Sequence, residues 1–376
     1  MDIVIKEVTK KSELKEFIKF PHKLYKNNNY YVPQLIRKEL QTLSKESNQA
    51  FRYCDVKLWL AYINNKIVGR IAGIINYRYI EITGKRCVRF GWFDFIEDER
   101  VFKRLIETVE QWGAQNNAEY IHGTYGLSAF DPSGILIRGF DELQTIFGTY
   151  NYPYYSKFLE NHGFQKECDW LEYNIKVPPE IPEKYINTAN IISKRYNLKG
   201  VELKNKKDLL QYVKGIFDLL NREYSKIYDF FEVTDEKIEE LKKEYIPLLN
   251  LDYVSVVVNS ENKVVGVGIC MPSLAKTLQK LKGRLFPFGI FKIMSALRNN
   301  DTLDTMLIAI DSEYRGKGVN AIIFRDIGKS IIKNGITNIE TNREMEGNTD
   351  IKNLWNKFEY RHHKRARCYI KKLPSK

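Results

Sequence analysis

The chain has 376 residues, with 60 Lys and Arg against 47 Asp and Glu, a formal charge of +13. Apolar residues make up 43%, and 24 Tyr, 20 Phe and 5 Trp supply ample core-forming area, which excludes a disordered or low-complexity polymer. No apolar run approaches the roughly 20 residues that cross a bilayer.

At roughly 150 residues per domain the length predicts two domains. The start, MDIVIKEVTKKSELKEF, has no basic-then-apolar leader, so a cytoplasmic protein is expected. The five cysteines form no CxxC pair and the five histidines no HxxxH or HExxH spacing. Neither a disulfide framework nor a metal site is therefore expected.

In chain order, a strand and a Lys-Lys-x-x-Leu helix start occupy residues 4–14. Val- and Ile-rich runs over 56–63 and 67–74, joined by Asn64-Asn65, predict a β-hairpin. A strand over 87–95 leads into the acidic turn Glu97-Asp98-Glu99, a helix over 101–115 and a strand over 119–122. Residues 123–153, rich in Gly, Phe and Tyr, are a candidate cleft wall or a packed surface loop. A helix over 154–161 and a strand over 170–175 close this half, and Pro178, Pro179 and Pro182 mark a linker.

The series then repeats. A strand and Lys-Lys helix start recur around 201–209, and a hairpin recurs over 253–258 and 264–269. Asn262-Lys-Val-Val-Gly266 stands 197 residues after Asn65-Lys-Ile-Val-Gly69. A continuous apolar strand over 306–310, a helix over 319–333, a strand over 337–341, a helix over 349–358 and a strand over 367–371 complete the second half. Matches in the same order predict a duplicated α/β (α+β) architecture. Its parts are a domain over 1–177, a linker over 178–196 and a domain over 197–376, each domain a mixed β-sheet flanked by helices.

The most informative stretch is Ile308-Ala-Ile-Asp-Ser-Glu-Tyr-Arg-Gly-Lys-Gly-Val-Asn320, where a strand runs through a basic, glycine-containing turn into a helix. Gly316 and Gly318 let the backbone approach a ligand, helix amides point into the turn, and Arg315 and Lys317 add charge. This pattern predicts an anion site suited to a pyrophosphate. The corresponding turn of the first half, with three carboxylates and no glycine, would repel one.

Tyr314-Arg-Gly-Lys-Gly-Val319 resembles the Arg/Gln-x-x-Gly-x-Gly/Ala loop of the GNAT acyltransferases, with a departure at Asn320, where that family has Gly or Ala. The likeness extends to Asn348 and, seven residues on, Trp355, in the frame of the family's Asn and Tyr. The resemblance implies two GNAT-like domains, the first degenerate. It further implies acetyl-CoA or another acyl-CoA as co-substrate without a metal, and transfer of the acyl group to an amine. Ile308, Ile310, Arg315, Gly316, Lys317, Gly318, Val319, Asn320, Asn348 and Trp355 would hold the CoA. An indole is not a usable acid near neutral pH, so Trp355 leaves open how the thiolate is protonated. Glu340 and Asp304, on the strands flanking the cleft, are the candidate bases, and Tyr224, Tyr228 and Phe231 the candidate acceptor contacts.

Two other readings compete. Tandem Fem-type transferases use aminoacyl-tRNA, which a basic surface suits, although nucleic acid is the less favoured partner. A non-catalytic CoA or lipid-surface binding module is the other. The expected acceptor is a small-molecule or lipid-like amine; oligomeric state is not readable. Residues 272–300, apolar and ringed by six basic residues, are a helical lid, an acyl pocket wall or a peripheral membrane contact. Residues 351–376, with nine Lys and Arg against Glu359, suggest a surface for a polyanion or a solvated tail.

Overall fold

The computed structural model describes residues 2–225, 230–348 and 354–374. The first half opens with β1 (Val4–Glu7), α1 (Lys11–Leu24), α2 (Ile36–Thr42), β2 (Cys54–Ile63), β3 (Lys66–Asn76) and α3 (Tyr77–Thr83). It continues with β4 (Cys87–Phe95), α4 (Glu99–Gln115), β5 (Tyr120–Gly123), β6 (Ile135–Arg138), α5 (Tyr154–Asn161) and β7 (Gln165–Lys176). The second half has α6 (Glu183–Arg195), β8 (Lys199–Gly200), α7 (Lys206–Tyr224), α8 (Asp235–Tyr245), β9 (Val254–Val258) and β10 (Val264–Pro272). It ends with α9 (Ala275–Leu281), α10 (Gly289–Arg298), β11 (Thr302–Ile310), α11 (Val319–Lys333), β12 (Asn338–Glu340), β13 (Glu344–Met345) and β14 (Tyr360–Lys372).

Local chemistry accounts for these elements. Asn64 and Asn65 both take positive φ, as the tight turn between β2 and β3 requires. All five residues of β9 are buried, consistent with a strand covered on both faces. Helix α4 buries Val101, Leu105, Val109 and Trp112 along one stripe, and α11 buries Val319, Ile323, Ile327 and Ile331.

The described strands form one sheet, in the order β1-β2-β3-β4-β5-β14-β7-β12-β11-β10-β9-β8, with β6 on β14 and β13 on β7. Only β4–β5 and β11–β12 are parallel among these pairs. Chain order makes the strand near 170–175 the closing strand of the first half and that near 367–371 the closing strand of the second. The sheet exchanges them. β14 pairs with β5 of the first half, while β7 pairs with β12 of the second. The two then pair with each other from Gln165–Ile370 to Ile175–Tyr360. With both edges paired, neither closing strand is left as an open edge at the seam.

The seam also absorbs the basic C-terminal segment. Asp169, buried in β7, takes Arg367 at 2.8 Å and Arg365 at 3.2 Å. Lys364, 2% exposed, meets Glu172 at 3.1 Å, and Lys371 meets Glu110 at 2.6 Å. Four of the nine basic residues of 351–376 are thus paired with carboxylates of the first half.

The exchange has a direct test. A fragment starting near Asn187 carries β14 without β5 or β7 and β12 without β7. It should fail to give a cooperative thermal transition alone and recover one when co-expressed with residues 1–177; a sharp melt from a monomeric fragment would contradict the exchange.

Candidate functional site

Strands β11 and β12 stay in register only from Thr302–Asn338 to Asp304–Glu340. Beyond that point they part. Asn342 still reaches back, its N–H donating to Thr305 Oγ1 at 2.8 Å, but Glu344 and Met345 turn away to pair with β7. The gap opens into a cavity of about 930 Å³, within the usual range for small-molecule sites.

The turn from β11 into α11 forms one mouth. Gly316 and Gly318 have φ of 72° and 87°, and Gly318 is the N-cap of α11 without any side-chain cap. A Cβ at Gly318 would meet Ile192 at 3.3 Å and add strain to its left-handed backbone. The helix therefore presents its first amides uncapped, and its dipole adds positive potential there. Arg315 donates to Glu223 of α7 at 2.5 Å, and Glu223 also accepts the Ser312 N–H at 2.9 Å, so the turn is braced against α7. Lys317 lies over the rings of Tyr196 and Tyr314.

The equivalent place in the first half is built differently. Asp98 caps α4, accepting from the Arg100 N–H at 2.9 Å, so a carboxylate already occupies that helix start. β4 and β5 part after Phe90–Gly123, but the gap is filled. The Phe95 N–H donates to the Tyr155 hydroxyl at 3.1 Å, and Tyr154 donates to the Phe95 carbonyl at 2.5 Å. Phe93, Phe95, Phe102 and Tyr155 pack there as buried core.

The sequence-predicted residues Ile308, Ile310, Arg315, Gly316, Gly318, Val319, Asn320, Asn348, Trp355 and Tyr224 all line the cavity. Tyr224 donates to the Ile308 carbonyl at 2.8 Å. Lys317 and Phe231 are not part of the lining; Phe231 instead sits under Arg78 of the first half, and the aromatic neighbour facing the cavity is Phe230. Tyr228 lies outside the described residues. Residues 123–153 do supply a wall, through Phe130, Ser133 and Phe147.

Asp304 and Glu340 are register partners at the point where the strands part, but their carboxyls belong to the buried seam and not to the cavity lining. Glu340 meets His363 at 2.8 Å and Lys364 at 3.9 Å; burial opposes its ionisation, yet the contact with His363 and the charge of Lys364 hold its pKa below the usual value. Asp304 is 1% exposed and has no hydrogen-bond partner of good geometry. Burial pushes its pKa up to about 7, with Glu340 adding to the shift and Ser273 and Lys364 opposing it.

Two carboxyls line the cavity that spacing alone did not single out: Glu223, already tied to Arg315 and the Ser312 N–H, and Glu344. Glu344 Oε1 accepts the Trp355 indole N–H at 2.8 Å, and its Oε2 is buried without a partner among the described residues. Burial pushes its pKa up to about 8 against the pull of that indole bond. The only advance sign was Trp355 itself, a donor standing where the resemblance expects an acid. Beside Glu344, Arg343 donates to Ser133 Oγ at 2.6 Å and to the Asp131 carbonyl at 2.9 Å, tying this side of the cavity to the first half.

Known structures share this duplicated architecture. The tandem GNAT protein from the clavulanic acid biosynthesis pathway superposes over 100% of both chains with a TM-score of 0.57 at 8% identity. The chain has the tandem GNAT fold. A GCN5-related N-acetyltransferase from Sphaerobacter thermophilus matches over 99% of this chain and 96% of its own, with a TM-score of 0.56 at 10% identity. Among curated proteins, Protein YghO of Escherichia coli is 24% identical over 98% of this chain and 95% of its own length. The bacterial ceramide synthase of Caulobacter vibrioides is 26% identical over 79% of this chain and 77% of its own. No family model matches the chain. In GNAT terms, the second half keeps an open cleft and the first half has a closed one.

Glu344 carries a stability signature with a fixed sign. A carboxyl raised to about 8 in the folded chain and ordinary when unfolded contributes fully below about pH 4.5, and the contribution is lost as pH rises to about 8. Glu344→Gln should therefore gain on wild type as pH rises, by roughly 4 kcal/mol between pH 5 and 9. Chemical denaturation of both proteins between pH 5 and 9 checks this, and parallel pH profiles would refute the raised pKa.

Proposed function

We propose that the chain is an acyl-CoA-dependent N-acyltransferase that moves an extended acyl chain onto the amine of a lipid-like acceptor. The observation that carries this reading is the uncapped, glycine-built start of α11 opening onto an apolar-walled cavity of about 930 Å³. The amides of Val319 and Asn320 with Arg315 suit the pyrophosphate, and the exposed edge of β11 suits the amide-bearing arm that follows it. Further in, Val213, Ile216, Leu220, Leu241 and Met306 offer a wall far larger than an acetyl group needs. The curated relative described as a bacterial ceramide synthase supports a lipid-like amine.

Glu344 supplies what Trp355 lacks. Amine attack forms the C–N bond and the C–S bond breaks; the sulfur must gain one proton and the nitrogen lose one. A carboxyl with a pKa of about 8 is mostly protonated at neutral pH and lies close to the roughly 8.5 of an ordinary thiol. Glu344 donates its proton to the leaving sulfur and regains one from the nitrogen, which closes the cycle. The Trp355 indole holds one carboxyl oxygen, and the other has no partner among the described residues.

Isothermal titration should find one acyl-CoA per chain, because Asp98 and the packed aromatics close the first cleft. Arg315→Ala should weaken binding roughly ten- to a hundredfold, from the loss of about 1.5–3 kcal/mol of charge-assisted bonding. Gly318→Asp should abolish it, and unchanged affinity in both folded variants would remove the assignment. Affinity should rise along an acyl-CoA series, up to about fourfold per methylene at roughly 0.8 kcal/mol each; a flat series would rule out an acyl-binding wall.

With a long-chain amine as acceptor, Glu344→Gln should lower kcat by roughly a hundredfold and leave acyl-CoA affinity nearly unchanged. Wild-type kcat should fall above about pH 8 as the carboxyl loses its proton. A Gln variant at wild-type rate, with the same pH profile, would exclude Glu344 from the chemistry.

A further inference from the structure

Helices α9 and α10 and the turn between them form a feature that the acyl-transfer reading does not use. Their inner side is firmly seated: Leu274, Leu278 and Leu297 pack with Met271 and with Val32 of the first half. The turn is anchored as well. The Ile36 N–H donates to the Gly283 carbonyl at 3.0 Å, and Gln279 donates to the Asn29 carbonyl at 2.8 Å.

The outer side is the opposite of what a seated element should show. Phe286, Phe288 and Phe291 are 68%, 69% and 73% exposed, with Ile290 and Met294 beside them at 46% and 43%. A contiguous apolar patch of this kind on a soluble face marks an interaction surface. On α10, Ile290, Phe291 and Met294 are exposed, while Ile293 and Leu297 of the same helix pack into the cluster beneath.

Charge says what the surface meets. Residues 273–300 contain Lys276, Lys280, Lys282, Arg284, Lys292 and Arg298 and not one Asp or Glu. All six cations are exposed. A second copy docked through the same face would set six cations against six, which disfavours self-association. A nucleic acid would match the charge and could stack on the phenylalanines, but it offers no apolar phase for Ile290 and Met294. A bilayer with anionic headgroups satisfies both, burying the apolar tip at the headgroup boundary within a ring of Lys and Arg. Met306 both lines the cavity and packs on the cluster that seats α10, so this surface lies one side chain from the apolar wall.

We propose that residues 282–294 are a membrane-docking element that inserts Phe286, Phe288 and Phe291 into an anionic lipid surface. The inference stands independently of the acyl-transfer reading.

Flotation of the full chain with phosphatidylcholine–phosphatidylglycerol vesicles (roughly 2:1), against phosphatidylcholine alone, tests it. Wild type should float with the anionic vesicles and stay behind with the neutral ones. Phe288→Ser combined with Phe291→Ser should weaken binding at least about tenfold. Lys282→Glu with Arg284→Glu should do the same, while Lys184→Glu with Lys194→Glu, an equal change of charge on α6, should not. Thermal melts like that of wild type would show that these exposed positions leave the fold intact. Several results would overturn the proposal: no binding to anionic vesicles, undiminished binding by the Phe variant, or equal loss in the α6 control. Two more would do so: a wild-type dimer dispersed by Phe291→Ser, or single-stranded DNA binding that those phenylalanines control while vesicle binding ignores them.

Discussion

The antiparallel ladder of β7 and β14 is what the two halves share, and the rest of the molecule is arranged around it. β7 carries Glu167, Asp169 and Glu172, while β14 carries Lys364, Arg365 and Arg367, so the two strands are complementary in charge across their pairing. Buried ion pairs of this kind contribute little net stability after desolvation, but a wrong register would leave charges unpaired in the interior, a penalty of several kcal/mol. The pairing thus selects one alignment. Because each strand also closes the other half's sheet, that alignment fixes how the two halves sit together.

Of the two corresponding gaps, one stays open. Both halves have a parallel strand pair that parts beside a helix start, and small differences decide which gap stays open. In the first half Asp98 satisfies the helix amides, and two tyrosines of α5 take the free N–H and carbonyl of Phe95. In the second half Gly318 caps nothing, and β11 keeps its edge toward the cavity. The closed half is not idle. Ser133 and Asp131 anchor Arg343, and Phe130 and Phe147 complete the wall of the open cleft.

Three acidic side chains near that cleft show how burial sorts one residue type into different states. Glu340, bridged by His363 and Lys364, is held ionised. Asp304, beside it and lacking a well-aligned donor, is pushed up to about 7. Glu344 reaches about 8 because one oxygen has only an indole donor and the other has none among the described residues. Strand position alone does not separate the three; their neighbours do.

Much of this was legible in the residues. Hairpins, the anion turn at Arg315–Asn320, the helix over 319–333 and the duplication followed from short-range rules, since turn chemistry, glycine freedom and side-chain periodicity act over a few positions. The difference between Glu97-Asp98-Glu99 and Arg315-Gly-Lys-Gly318 likewise marked which half could take an anion. Long-range pairing was not legible. Nothing local tells β14 to pair with β5, because β7 offers a strand of nearly the same length, 12 residues against 13, and β5 lies far away along the chain. The same limit governs the site. Glu344 faces the cavity only because β13 turns onto β7, and its pKa depends on Trp355 and on burial, both products of the assembled fold. Sequence by itself determined where a glycine-built turn opens a helix start; only the tertiary structure decided which carboxyl stands beside it, because burial belongs to the packed chain and not to any residue in it.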